Sequence, residues 1–337
     1  MPTTSPLIIS LGDPCGVGPE IVAGAWRALS GEPGLVFCVV GDAATLERQA
    51  SVVRISAPAE AAQGFATAIP VLNRPLDAPA VPGQPDSRHA PHIIGWIREG
   101  VELCHSGAAR GLVTAPIAKA VLYDAGFTFP GHTEFLAELC HHGDTVPTPV
   151  MMLTAPDTAN DGELRVVLAT IHTPLAKVAA SLNADHLKAV VRITEAALKR
   201  DFGISAPRLV MAGLNPHAGE DGGIGDEEQT LLIPVARALR DEGVDVRGPI
   251  PADSLFHQAA RRTYDAAICM YHDQGLIPLK TLDFWSGVNI TLGLDIVRTS
   301  PDHGTAFDIA GQGKARPDSL IAAIRAADAI ARRRAAQ

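Results

Sequence analysis

The chain has 337 residues, 47% hydrophobic and 19% charged, with 28 basic against 37 acidic side chains and a formal charge of −9. It is long enough for about two domains and too apolar to be disordered. Its acidic balance argues against nonspecific attraction to nucleic acid or an anionic membrane.

No apolar run approaches the ~20 residues of a bilayer span. The opening MPTTSPLIISLGDP has no basic segment and is not read as a secretion signal. Five scattered cysteines with no C-x-x-C pair predict reduced thiols in a cytoplasmic enzyme.

Leu7 to Leu11 reads as a short buried strand running into the Gly-rich turn GDPCGVGPE (Gly12 to Glu20), after which IVAGAWRAL has helical spacing. GLVFCVVGD (Gly34 to Asp42) repeats the pattern of strand, turn and helix. Residues 51 to 90, rich in Pro and Ala, read as an excursion or connecting loops. Pro91 to Gly107 is helical, and Arg110 to Pro116 (RGLVTAP) is an apolar strand of a parallel sheet buried on both faces. VPTPVMMLTAP, LRVVLATIHTP, APRLVMAGLNPHAG and YDAAICMYHD supply further strands. Their alternation with helices predicts βαβ units, and hence an α/β fold.

Three histidines, His172, His217 and His272, each follow a predicted strand, 45 and 55 residues apart. Ligands of open α/β sheets bind beyond the carboxyl ends of strands, so these imidazoles are candidates to converge on a divalent transition metal. Any one of twelve histidines is more commonly a hydrogen-bonded core or surface group, and only their equivalent positions raise the metal reading.

In GHTEFLAEL, His132 and Thr133 stand at the start of an amphipathic helix. Thr133 is expected either to cap that helix or, with His132 and free backbone N–H groups, to form an anion site. Lys280, Asn289 and Arg298 fall in a stretch of Gly and apolar residues, where a buried charge needs an anionic partner. No G-x-G-x-x-G follows the first strand, and no Walker loop, G-x-S-x-G or H-E-x-x-H occurs.

Taken in order, GDPCGVGPE, TAPIAKA, GHTEFLAEL, LATIHTPL, GLNPHAGEDGGIGDEE, GPIPADSLF, MYHDQGLIPLK and GVNITLGLDIVRTSPDHGTAFDIAG resemble the bacterial 4-hydroxythreonine-4-phosphate dehydrogenases of pyridoxal phosphate biosynthesis, from about Ile9 to Ile321. Cys15, where that family usually has Ala, and the run TLDFWSG are the departures. The resemblance implies two α/β/α lobes with a cleft between them, like the isocitrate and isopropylmalate dehydrogenases. The first lobe is expected at residues 1–130 plus about 275–337 and the second at about 131–274.

The resemblance also implies a homodimer with the site at the subunit interface, and no nucleic-acid or membrane partner. It makes His172, His217 and His272 ligands of one divalent metal (Zn, Co, Mg or Mn), drawn from both subunits. His132, Thr133, Lys280, Asn289 and Arg298 become substrate-binding residues. SPDHGTAFDIAG resembles the loop that holds the adenosine part of NAD or NADP, which points to His303, Gly304, Thr305 and Asp308.

The implied reaction is NAD(P)+ oxidation of 4-phosphohydroxy-L-threonine at C3, giving 2-amino-3-oxo-4-phosphooxybutanoate and, after decarboxylation, 3-amino-2-oxopropyl phosphate. Asp273, Asp253 and Lys119 are the candidate proton acceptors. The alternatives are a paralogous dehydrogenase of 4-phospho-threonate, 4-phospho-erythronate or a dihydrodiol carboxylate, and a phosphate-acyltransferase-like protein without redox chemistry.

Overall fold

The structure, a computed structural model, describes residues 5–129, 131–141, 146–156 and 163–337. It divides into two compact units, Met1–Pro147 with Leu294–Ala335, and Thr148–Gly293 with Ala336–Gln337.

The first unit opens with β1 (Leu7–Ser10), α1 (Gly18–Leu29), β2 (Phe37–Gly41), α2 (Ala43–Glu47), β3 (Val52–Ile55), α3 (Ala61–Gly64) and β4 (Ile69–Asn73). It continues through α4 (Ala90–His105), β5 (Gly111–Thr114), α5 (Lys119–Asp124) and α6 (His132–Leu139). The second unit contributes β6 (Val150–Ala155), β7 (Leu164–Leu168), α7 (Val178–Ser181), α8 (Ala184–Phe202), β8 (Leu209–Ala212), α9 (Ile233–Asp241), β9 (Val246–Ile250), α10 (Gln258–Arg261), β10 (Ala266–Cys269), α11 (His272–Leu282) and β11 (Val288–Leu292). The chain then returns to the first unit as β12 (Arg298–Pro301) and α12 (Asp318–Ala335).

In the first unit the strands lie in the order β3-β4-β2-β1-β5-β12, and the register of each pair is parallel. β1 (LIIS) and β5 (GLVT) are buried along their whole length because helices cover them: α4 packs on both, as does α12. Those helices show why. Ile93, Trp96, Ile97, Gly100 and Val101 of α4, and Leu320, Ala323, Ile324, Ala327 and Ile330 of α12, recur at three- and four-residue spacing and are buried. Each such Leu or Ile contributes roughly 1.5–3 kcal/mol through removal from water.

Residues 51 to 90 depart from the expectation of loops, since β3 and β4 extend the parallel sheet beyond β2. Pro70 sits within β4, and β3 is a half-exposed edge strand, so neither shows a clean apolar run.

In the second unit the order is β11-β6-β7-β10-β8-β9. β7, β10, β8 and β9 are parallel, but β6 is antiparallel to both β7 and β11. The sheet is therefore mixed where a run of βαβ units was expected. Only residues 156–163 separate β6 from β7, and a parallel crossover needs a dozen or more. The observed units also assign residues 131–147 to the first unit and 275–293 to the second, the reverse of the boundaries expected from sequence. α11 packs on β7, β10 and β6, and β11 pairs with β6, which holds residues 275–293 there.

Candidate functional site

The three strand-end imidazoles lie in the second unit. β7, β10 and β8 are neighbours and parallel, with Leu168 opposite Cys269 and Ile268 opposite Met211. Their carboxyl ends therefore emerge side by side at strand spacings of about 4.8 Å. His172 follows β7, His272 opens α11 just past β10, and His217 follows β8. The His172 and His272 ring centroids are 6.2 Å apart. All three imidazoles together do not reach the mutual 4.8 Å spacing of ligand atoms in a closed site among the described residues.

His217 is displayed by unusual backbone. From His217 to Asp221 five consecutive residues are left-handed, with φ of 54, 52, 79, 42 and 53°. Only Gly219 adopts this freely; for the other four it costs on the order of 1–2 kcal/mol each. The strain is held by Glu228, whose fully buried carboxylate accepts from Leu214 N at 2.8 Å, Asn215 N at 2.7 Å and Asn215 Nδ2 at 2.9 Å. A Cβ on Gly219 would stand 2.7 Å from Glu228 Oε2, so glycine is also required there by close approach.

Buried polar side chains lace the three loops together. Thr170 Oγ1 donates to Met270 O at 2.7 Å, tying the His172 loop to the His272 loop. Gln274 accepts from Met270 N at 2.6 Å and donates to Gly213 O at 2.7 Å, tying the His272 turn to the end of β8. Sequence reading missed Thr170, Gln274 and Glu228. Their signal was proximity to the three His motifs.

His272 Nδ1 and Asp273 Oδ1 are 2.7 Å apart, which selects the Nδ1–H tautomer and leaves the Nε2 lone pair available. Asp253 is exposed on the turn Ala252–Ser254, which packs against the segment carrying His217. On α11, the Lys280 ammonium lies 5.2 Å from the Phe284 ring centroid. Asn289, on β11, holds its Oδ1 buried without a hydrogen-bond partner.

The first unit carries a second cluster. Arg298, at the start of β12, is 2% exposed, and its Nη2 donates to Thr114 Oγ1 at 2.7 Å. Burial lowers its pKa to about 10. His132 is the first residue of α6, and its Nε2 is buried without a hydrogen-bond partner. Desolvation, then the charges of Arg298 and Lys119, hold the imidazole well below its ordinary pKa, so the ring is neutral. Lys119 Nζ approaches Gly131, 3.2 Å from where a Cβ would be. Lys119 is thus placed beside His132 as a positive group. Thr133 is buried but does not cap α6: the helix begins one residue earlier, and Gly131 stands at the N-cap without a side-chain bond.

The loop after β12 docks on the Gly-rich turn that follows β1. Val17 N donates to Thr305 O at 2.9 Å, Gly311 N donates to Glu20, and a Cβ on Gly16 would lie 2.8 Å from Thr305 O. Thr305 is buried, while His303, Gly304 and Asp308 are exposed. Asp13 of the same turn is 1% exposed; it accepts from Cys15 N at 2.9 Å, and burial raises its pKa to about 6.

The family model described as pyridoxal phosphate biosynthetic protein PdxA matches residues 35–327. The chain belongs to the PdxA family. A PdxA relative from Caulobacter vibrioides, named 4-hydroxythreonine-4-phosphate dehydrogenase, is 58% identical over 98% of this chain and 99% of its own. One of the same name from Maricaulis maris is 52% identical over 99% and 100%. The crystal structure of 4-hydroxythreonine-4-phosphate dehydrogenase from Klebsiella pneumoniae superposes with a TM-score of 0.84 at 39% identity, covering 97% of this chain and 98% of that one. A terephthalate 1,2-cis-dihydrodiol dehydrogenase from Burkholderia xenovorans aligns at 26% identity and a TM-score of 0.63, over 96% and 98%. The last of these shows that the PdxA fold also occurs in a dehydrogenase with a different named substrate.

Proposed function

We propose that the chain is an NAD(P)+-dependent dehydrogenase that oxidises 4-phosphohydroxy-L-threonine at C3 to 2-amino-3-oxo-4-phosphooxybutanoate, which decarboxylates to 3-amino-2-oxopropyl phosphate. The observation that carries this reading is the cluster of buried Arg298 with half-buried Lys119 and neutral His132, in a chain that shares most of its length with dehydrogenases of that name. The Glu134 carboxylate, as close to Gly131 as the Lys119 ammonium is, offsets part of the positive charge; the Arg298 guanidinium beside the uncharged imidazole is further stabilised by an anion, and the phosphate of the substrate supplies one.

The donor set at the ends of β7, β10 and β8 fits a divalent ion (Zn, Co, Mn or, with water and substrate oxygens, Mg), held by His172, His217 and His272. When bound, that ion supplies Lewis acidity at the substrate alcohol, and NAD or NADP supplies the hydride acceptor.

The chain's own residues do the rest. Arg298 and Lys119 bind the phosphate, with His132 Nε2 and Thr133 completing the polar lining. Asn289 Oδ1, buried and unpartnered, accepts from a substrate donor such as the ammonium, and Lys280 binds a carboxylate oxygen. Asp273 orients His272 through the Nδ1 contact, which reassigns it from proton acceptor to positioning residue. Asp253 is the carboxylate left to accept the alcohol proton. His303, Gly304, Thr305 and Asp308 are the adenosine-side residues of the cofactor loop. We further propose a cytoplasmic homodimer in which both subunits furnish imidazoles, a reading supported by the open spacing of the three rings within one chain.

The test is cofactor reduction by purified, metal-loaded protein. 4-Phosphohydroxy-L-threonine is expected to outperform 4-phospho-erythronate, 4-phospho-threonate and a dihydrodiol carboxylate in kcat/KM by at least tenfold. Preference for any of the latter three overturns the substrate assignment. Absence of NAD(P)+ reduction with all four overturns the dehydrogenase. His217→Ala is expected to abolish metal retention and most turnover while leaving the circular dichroism spectrum unchanged.

A further inference from the structure

In the first unit, three chemically distinct ligands come together from three parts of the chain. His105 is the last residue of α4, Cys140 caps the C-terminus of α6, and Asp295 stands in the segment leading to β12. His105 Nε2 and Asp295 Oδ2 are 3.0 Å apart, and the Cys140 thiol hydrogen-bonds the same carboxylate. One ligand atom from each residue lies within 4.8 Å of the other two.

We propose that His105, Cys140 and Asp295 form a second cation site, for a thiophilic divalent ion such as Zn2+. Tetrahedral coordination with bonds of about 2.0 Å to nitrogen and oxygen and about 2.3 Å to sulfur gives ligand-to-ligand edges of roughly 3.3–3.5 Å. The 3.0 Å His–Asp separation is close to such an edge, so the ion fits after shifts of about an ångström. An imidazole, a thiolate and a carboxylate together select zinc or cobalt over magnesium or calcium.

Two further features favour a cation. α4 and α6 both end at the cluster, presenting the negative poles of their dipoles. The cluster also borders a cavity of about 290 Å³ that His105 and Asp295 help to line, which leaves access for the ion and a fourth, exchangeable ligand. Of the nearby guanidinium groups, Arg110 pairs with the Asp328 carboxylate at 2.6 Å, and Arg334 donates to the backbone carbonyl of Asp295 at 2.8 Å. Binding exchanges the thiol proton for the metal and releases it to solvent, with no redox change. Because α6 opens with His132 and Thr133, an ion at its far end would fix the helix that carries them.

The probe is Co2+ added to chelator-stripped full-length protein and followed by absorption. The wild type is expected to develop a near-ultraviolet thiolate-to-cobalt charge-transfer band, which persists in a His172→Ala/His217→Ala double variant and in Cys104→Ser. Cys140→Ser is expected to lose it. Asp295→Asn, which keeps the thiol, is expected to weaken Co2+ binding at least tenfold. Absence of the band at saturating Co2+, its survival in Cys140→Ser, or unchanged affinity in folded Asp295→Asn overturns the proposal. Should Cys140→Ser fail to fold, Asp295→Asn decides alone. Loss of the band in the histidine double variant would assign the signal to the strand-end imidazoles and overturn the second site.

Discussion

The two polar clusters are built on opposite principles. In the first unit Arg298 and His132 occupy the first positions of β12 and α6, and burial itself tunes them, lowering the basicity of both. In the second unit His172 and His217 stand on loops and His272 at the start of α11, and the His217 side chain is 67% exposed. Their order comes from the layer beneath, where Thr170, Gln274 and Glu228 bind backbone atoms of adjoining loops. The Arg298–His132 cluster is thus specified by its own residues, and the imidazole cluster by the residues that hold its backbone.

If that contrast is right, the most damaging change near the imidazoles touches none of them. Glu228→Ala would strand two part-buried backbone N–H donors, leave the Asn215 amide only its bond to Glu227, and release five left-handed residues. A loss on the order of 3–5 kcal/mol in urea denaturation is expected, together with loss of metal retention. A cost below about 1 kcal/mol would mean that the loop holds its shape without the clamp.

Asp13 tests whether burial alone can shift a group in the first unit. Its pKa rises from 3.8 to about 6, with burial as the leading cause. The folded state therefore holds the proton more tightly than the unfolded one. Below about pH 3.8 the carboxyl is neutral in both states and folding loses nothing; through pH 4 to 6 stability falls as pH rises; above that the full cost applies, at most about 3 kcal/mol. Asp13→Asn keeps an acceptor for Cys15 N and is expected to raise the melting temperature at pH 8 but not at pH 4. A rise that is equal at both pH values would reject desolvation as the cause.

The same contrast explains what could be read from sequence. The buried strands β1, β5, β7, β8 and β10 announced themselves as apolar runs, and the three histidines were visible because they follow β7, β8 and β10. Arg298 was legible as a charge between apolar neighbours, and it is buried. β3 and β4 were missed, since an edge strand and a strand containing Pro70 lack the expected pattern. Thr133 was given a capping option that the helix start at His132 removes. Glu228 lies close to the His217 motif, but its role was not legible because two of its three donors are backbone N–H groups, which no side-chain motif encodes. Asp273 was legible as a carboxylate beside His272, but its 2.7 Å contact with His272 Nδ1 was not.

Smaller effects separate the clusters further. Arg298→Lys keeps a positive charge but loses the guanidinium fork and its geometry on Thr114. A loss of about 1.5–3 kcal/mol in substrate binding, a ten- to hundredfold rise in KM, is expected with kcat changed little. A fall in kcat at constant KM would place Arg298 in the chemical step and remove the phosphate assignment.

The mildest change probes the lacing. Thr170→Val is nearly isosteric, and Thr170 is 8% exposed, so the substitution deletes the 2.7 Å bond to Met270 O without opening a cavity. About 1 kcal/mol of stability should go, visible as a small drop in melting temperature. Metal affinity should fall with it, because that bond ties the His172 and His272 loops together. A variant that loses stability but binds metal as before would show that the loops are positioned by the strand register of β7 and β10 alone, and that the polar layer beneath the imidazoles stabilises the fold without setting the site.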